Sequence, residues 1–583
     1  MMHSTEAALD PGPDASRPGA LGKSPSKSRE TILFAGAVSL LVLALWSIPR
    51  ISFGDGGVHV AMAHLLTVLS MGTADPVLSQ YFMLNLQSEP NWFIYPILAA
   101  LLRVFDPYTA EKILLTGYVI GLPYAFRYAV TAVNPRNAPL SWFALPFVFS
   151  WPLNLGLYNF IFSLVWLFVA LGYALRHWRA MTPGRTLTMT LLGLATYFSH
   201  LTAAIVLCLC LGGFGAWLLW CELRHPGSSG LRASGGRASG GRAPGESTAN
   251  RLWVPFGAFA TALLPVVVLT LLFTLRNTGQ NVEFGPDLWY RTKMLVYGNV
   301  ILSHTRWEGA FSTPVALLPF VATALLLFRW WRTAARNGAL GNPLGNPLNG
   351  MLAGALLVLL FSYAIPNSTS GGGLAVQRIQ IFPYLLLMLW LAVVTDWTAL
   401  RRVTATVAGV ATVGLLAINM TYNHLNSRYL AEFDSTVRQL EPGRTMLLLD
   451  FTGWKASPDG LHDSFRLNFV GHPQSRFVTN RPLADLNIYQ ASTPNFPVRY
   501  RPETDPYIHL RGNGPHPETP PTDEFLMAGT RSAIRVDYVL VWGLTPARAA
   551  MDGATLTLDQ LDAGYELASV SDHGWMRIYR RRE

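Results

Sequence analysis

Long apolar stretches separated by short polar or basic turns recur from residue 31 to about residue 420, and only the two ends of the chain break this rhythm. An apolar run of about 18 residues or more, rising 1.5 Å per residue as a helix, is long enough to cross a bilayer. Residues 31–48 predict a first crossing, preceded by Lys23, Lys27 and Arg29 and followed by no small-residue cleavage site, which reads as a retained anchor with a cytoplasmic N-terminus. Further apolar runs at 92–105 and 111–132 flank a turn bearing Arg103 and Lys112, which the positive-inside trend places on the cytoplasmic side. Residues 139–175 hold two runs, split by Asn154, Gly156, Tyr158 and Asn159. If both crossed, every later basic loop would be inverted, so 140–153 reads as a re-entrant helix and 157–175 as a crossing. The run 186–221 is too long for one span and divides at Ser199-His200, with His200 at a turn on the outer face. Spans follow near 252–274, 313–330, 350–365, 378–395 and 402–420.

The pattern predicts a mainly α, polytopic transmembrane bundle of about eleven crossings plus one re-entrant helix. Residues 1–30, rich in Pro, Ser, Gly and Lys without apolar period, read as a disordered cytoplasmic tail, and 222–251, with its LRASGGRASGGRAPG repeat, as a flexible basic linker. Residues 31–420 form the membrane domain. Residues 421–583 are polar and Pro-rich with β-like runs at 446–451, 538–542 and 576–579, predicting a small extracytoplasmic α/β domain.

Composition agrees: 51% hydrophobic and 13% charged residues with a mean hydropathy of +0.29 exclude an ordinary soluble globular protein. The net charge of +10 sits in short loops, where it sets orientation, and implies no nucleic-acid partner. Cys208, Cys210 and Cys221 share one apolar segment and read as small core residues.

Candidate chemistry gathers near span ends. Asp55 in GDGGVHVAMAHLL, residues 54–66, directly follows the first span, and His59 lies four residues on. A helix from about Gly57 would put Val58, Met62, Leu65, Leu66 and Leu69 on an apolar face lying along the membrane, with His59 on the wetter side. Asp55 suits both an N-cap and a partly desolvated general base. His64 sits near the apolar face. Glu89 and Asn91, in QSEPNWFIYP, lie where the chain re-enters the membrane and fit either the same outer cavity or, for Glu89, a solvated position beside interfacial Trp92 and Tyr95. Tyr158 and Asn159 of GLYNF are polar groups at membrane depth, which must pair or line a cavity. Arg378 opens a span after the glycine-rich NSTSGGGLAVQ, against the positive-inside trend; it suits phosphate recognition or snorkelling to head groups.

In their order, DGGVHVAMAHLL, PNWFIYPILAALL, Ala110-Glu111-Lys112, GLYNF, Phe198-Ser199-His200-Leu201 and the late Arg378 resemble a bacterial branch of the GT-C superfamily of polytopic glycosyltransferases, over most of residues 31–420. The resemblance implies a bacterial cytoplasmic-membrane enzyme that transfers a sugar from a polyprenyl-phosphate-linked donor to a hydroxyl of a glycan, lipid or protein acceptor at the outer face. It implies Asp55 as the catalytic base, with Arg378 and His59 toward the donor phosphate; His59 equally suits orienting Asp55 or assisting proton transfer. From their own positions His200 is a second candidate for the donor phosphate, and Tyr158, Asn159 and Asn91 are candidates to line the cavity. No Asp-x-Asp pair stands in the outer loops of the membrane part, so no cofactor is expected and a divalent metal is not indicated. The expected reaction is inverting transfer. The alternative, a transporter or flippase of lipid-linked glycans, would show paired halves or mid-bilayer charges, whereas here the polar features cluster at span ends. A scaffold displaying the C-terminal domain leaves Asp55, His200 and Arg378 unexplained together.

Overall fold

The computed structural model describes residues 25–224, 250–277, 282–337, 346–368, 373–452, 455–467, 469–510, 526, 533–550 and 554–583. The expected tail up to residue 24 and the linker repeat lie outside these. Residues 25–30 are already part of a helix.

Among the described residues eleven helices carry the bundle: α1 (Pro25–Ser47), α2 (Gly56–Ser70), α3 (Pro107–Val130), α4 (Tyr158–His177), α5 (Pro183–Ser199), α6 (Leu201–Arg224), α7 (Asn250–Arg276), α8 (Gly309–Asn337), α9 (Gly350–Ala364), α10 (Ile381–Val394) and α11 (Thr398–Val437). Among the described residues nine helical segments are long and apolar enough to cross a membrane. The protein is a multi-pass membrane protein, mainly helical, with a small sheet region near its C-terminus. The segment Ala375–Val394 is 89% buried and lies at the centre, whereas Arg29–Ser47 is 22% buried. Its outer face, with Leu33 and Leu43 exposed, suits a lipid environment.

Two expectations about the path of the chain are corrected. Residues 92–105 do not cross: they form an eight-residue helix, Ile94–Leu101, only about 12 Å long. The turn after it lies at the C-terminal-domain end of the bundle, where Lys112 donates to the Pro49 carbonyl (3.2 Å) and Tyr108 reaches Asp434 (3.1 Å). The re-entrant reading of 140–153 also fails. Asn137 is held at the opposite end by the Ala392 and Thr395 carbonyls (2.7 Å each), while Gly156 packs against Asp55. Between them a 3-10 helix, Pro135–Phe147, rises about 2 Å per residue and carries the chain through the length of the bundle with the short helix Trp151–Asn154. Three prolines, at 135, 139 and 146, remove the donors a regular α-helix would need. One segment was counted as crossing and the other as not, so the basic loops still fall together, as at Arg127–Glu30 (2.6 Å) and Arg401–Asp396 (2.6 Å).

Nor does the chain break at residue 420, because α11 continues unbroken to Val437. Strands β2 (Arg444–Asp450), β3 (Leu483–Asp485), β5 (Tyr538–Trp542), β6 (Tyr565–Val570) and β7 (Met576–Arg581) form one sheet in the order β3-β2-β5-β7-β6. The strands β3, β2 and β5 are parallel, and β7 and β6 antiparallel. Strand β5 is buried along its whole length, so it reads in sequence as the continuous run YVLVW. The expected runs are β2, β5 and β7; β3 and β6 carry no comparable apolar signal.

The first loop belongs to this domain. Its strand β1 (Phe82–Leu84) pairs antiparallel with β4 (Val498–Tyr500), and one apolar core continues from the bundle into the sheet. Helix α2 is therefore not laid on a membrane surface. It is covered by the 3-10 helix Pro473–Thr479, and Val58, Met62 and Leu65 are fully buried.

Candidate active site

The turn that carries Asp55 is built by glycines that leave no room for a side chain. A Cβ on Gly54 would overlap the Leu155 carbonyl, and one on Gly56 would meet Glu111 Oε1 and Tyr158 Oη. A Cβ on Gly57 would stand 2.6 Å from the His472 carbonyl oxygen. From the other side Gly156, at φ +81°, would place a Cβ 2.5 Å from the Asp55 nitrogen. The Asp55 N–H donates to Leu155 O at 3.0 Å, closing the clamp. Gly156→Ala adds left-handed strain to that clash and is expected to cost more than about 1 kcal/mol. A lowered thermal midpoint together with lost activity checks this.

Asp55 stands at the N-cap of α2 but makes no side-chain capping bond. Its carboxylate turns instead into the junction between bundle and C-terminal domain. It lies 3.7 Å from His472 Nε2, is hydrogen-bonded by the Gln490 amide and sits within the field of Arg378. Burial pushes its pKa up to about 6 against the opposing pull of Arg378 and Gln490. A 27% exposed side chain keeps it reachable.

Arg378 and His200 meet across the site. The guanidinium Nη1 is 3.2 Å from His200 Nε2, and its Nε is buried without a hydrogen-bond partner among the described residues. The Thr202 N–H approaches His200 Nδ1 at 3.2 Å. A neutral imidazole has one acceptor nitrogen and one N–H, so it cannot accept from both donors. An anion between ring and guanidinium would take both a ring N–H and a guanidinium N–H. The rest of the NSTSGGG loop, residues 369–372, lies outside the described residues.

His59 is not on the wetter side. It is 4% exposed, accepting at Nδ1 from Tyr95 Oη (2.8 Å) and donating from Nε2 to Gly156 O (2.9 Å). Burial lowers its pKa to about 4, with the Gly156 carbonyl opposing, so it is a neutral strut under the clamp. Tyr158 and Asn159 are buried in pairing contacts. Tyr158 Oη donates to Glu111 Oε1 at 2.5 Å. Asn159 accepts from Ile94 N (3.2 Å) and donates to Asn91 O (3.0 Å), tying down a turn in which Asn91 has φ 66°. Glu89 is not solvated. It is 1% exposed and paired with Arg276 at 3.4 Å.

Four residues at the site lay outside the sequence reading of its chemistry. His472, Arg476 and Gln490 come from the C-terminal domain, and Glu111 from α3. Arg476 Nε and Nη2 grip both Glu111 oxygens at 2.9–3.1 Å, with both side chains almost wholly buried. Glu111 carried little signal, since it stands beside Lys112 at the start of an apolar run where a solvated charge is ordinary; His472 had GHP, a glycine and a helix-starting proline around a histidine.

No group of three or more His, Cys, Asp or Glu side chains suited to a metal occurs among the described residues. Around Asp55 the donors are one carboxylate, one imidazole and an amide beside a guanidinium, which gives a divalent ion a single anionic ligand. No disulfide joins Cys208, Cys210 and Cys221.

No family model matches the chain, and no curated protein matches it. Among solved structures it is similar to the oligosaccharyltransferase of Archaeoglobus fulgidus in the apo form, at 12% identity and a TM-score of 0.42, over 96% of this chain and 75% of that one. A likeness at that level fixes neither chemistry nor substrate, which have to come from the site.

Proposed function

We propose that the protein is a membrane glycosyltransferase that moves a sugar from a polyprenyl-phosphate-linked donor to an acceptor hydroxyl. The observation that carries this is that Arg378, 3.2 Å from His200 Nε2, acts electrostatically on the Asp55 carboxylate although the three residues come from turns more than 140 residues apart. A carboxylate with a pKa near 6 is ionised at neutral pH yet basic enough to take a hydroxyl proton. The acceptor oxygen then attacks the anomeric carbon from the face opposite the phosphate. The C–O bond to phosphate breaks with its electron pair leaving on the phosphate, and configuration inverts. Arg378, which has no carboxylate salt bridge among the described residues, stabilises that departing charge, and the His200 N–H shares it. His59, Tyr158 and Asn159 position the turns and do not touch substrate.

The basic residues Arg127, Arg176 and Arg401 gather at the end of the bundle opposite the C-terminal domain. By the positive-inside rule this supports a cytoplasmic N-terminus, with the site and the C-terminal domain on the outer face; the membrane proposed is the bacterial cytoplasmic membrane. The partners are the lipid-linked donor, a glycan, lipid or protein acceptor, and the surrounding lipids.

The test is transfer of radiolabelled sugar from a panel of polyprenyl-phosphate sugars by the purified protein. Binding or translocation of every donor with no transfer would move the flippase reading ahead. Arg378→Ala is expected to lower kcat/KM for the donor by about 10²–10³-fold, and Arg378→Lys to recover only part of it. Steady-state kinetics with the donor varied checks both.

A further inference from the structure

We infer that His472, delivered by the C-terminal domain, is the proton relay that returns Asp55 to its basic form, so that the C-terminal domain supplies half of the reactive centre. The inference rests on the glycosyltransferase reading above. His472 Nε2 faces Asp55 Oδ1 at 3.7 Å, a gap that one shared water or a small closure bridges, and both side chains are 27% exposed. The pair is therefore close enough to exchange a proton and partly open to solvent.

The backbone is bent to put it there. His472 has φ 42° and ψ 50°, a left-handed conformation that a side-chain-bearing residue adopts at a cost of about 1–2 kcal/mol. Such strain persists only where surrounding contacts fix it, and three do. A Cβ on Gly471 would lie 2.8 Å from Gly54 Cα, the His472 carbonyl fills the space where Gly57 lacks a Cβ, and Arg476, one turn on, is locked to Glu111. A glycine at 472 would trace the same turn without strain.

The charged groups around the pair are Arg378 on the helix Ala375–Ile379, and Arg476 with Glu111 beneath Gly57 and Gly56. Arg476 and Glu111 neutralise each other. In the step proposed, the acceptor O–H proton passes to Asp55 as the new C–O bond forms. The protonated carboxyl hands it to His472 Nε2, the imidazolium then loses that proton to water, which restores the starting imidazole, and the electron pair of the broken bond stays on the phosphate. No further reagent is needed.

The test uses the full chain with His472→Gly, which removes the imidazole and suits the backbone. Transfer is expected to fall about 10²-fold, with donor binding and thermal midpoint kept, and to be restored in part by added imidazole. Transfer at the wild-type rate, or a loss that imidazole does not relieve, overturns the relay; if Asp55→Asn is inactive in the same assay, the glycosyltransferase reading survives that result. An infrared titration of the Asp55 carboxyl, which needs no turnover, gives a second readout. The midpoint is expected to move when the imidazole is removed, and identical titrations in wild type and His472→Gly reject the coupling.

Discussion

Asp55→Asn is expected to abolish sugar transfer, by at least about 10³-fold, while leaving the protein at least as stable as the wild type. Both halves follow from where the carboxylate points. It makes no capping bond to α2, so the amide removes no helix-stabilising contact, and it retains the size and shape that fill the turn. What it cannot do is accept a proton. The pH dependence has a definite sign. With a pKa of about 6, the basic form is lost on acidification, so kcat/KM is expected to be flat above pH 7 and to fall tenfold per unit well below 6. The stability linkage runs the other way. The native state holds the Asp55 proton more tightly than an unfolded chain with a pKa near 3.8. The stabilisation this gives is complete below about pH 4 and is lost as the pH rises through 6. At pH 7.5 the ionised carboxylate is therefore a burden on the fold that Asn removes. Melting curves of both proteins at pH 7.5 and pH 5, alongside transfer rates at equal folded amounts, check this. Equal transfer by both proteins would make Asp55 a residue of the turn and nothing more.

Cutting the Glu111–Arg476 pair is the largest expected effect on stability. Glu111 is wholly buried, Arg476 is 4% exposed, and the Tyr158 hydroxyl fills a further lone pair of the carboxylate. Removing one partner strands the other charge in the interior, at about 3–5 kcal/mol. Glu111→Ala and Arg476→Ala are each expected to lower the thermal midpoint sharply and to open the Asp55 turn, because Gly56 and Gly57 pack directly on this pair. The double replacement Glu111→Leu with Arg476→Met removes both charges and is expected to regain much of the loss. A double variant as unstable as the sum of the singles would show that the pair contributes through shape alone. Limited proteolysis would locate the damage at the junction, since 473–479 covers α2 through this contact.

Span-level organisation was legible because a bilayer demands long apolar helices, and their lengths and flanking charges are local properties of the chain. That Asp55, His200 and Arg378 stand near the ends of apolar runs was legible for a related reason, since span ends are read from the same local pattern; that Arg378 comes to lie against His200 was not. The path between 92 and 157 was not. An eight-residue helix and a proline-rich 3-10 helix both leave the chain apolar, and hydropathy measures apolarity without measuring rise per residue.

The sequence by itself determined a mainly helical membrane protein with a polar, sheet-bearing C-terminal region and a small set of polar groups at span ends. Only the tertiary structure decided what those groups face. It buried His59 as a strut, placed Arg378 against His200, and folded the first loop into the C-terminal sheet through β1 and β4. It also brought His472, Arg476 and Gln490 over Asp55 from more than 400 residues away. The physical reason is that partnership between side chains depends on close approach. Here that approach is set by glycines 54, 57, 156 and 471 packing against backbone and by Gly56 packing against the Glu111 and Tyr158 side chains, a fit no one of their local sequences records.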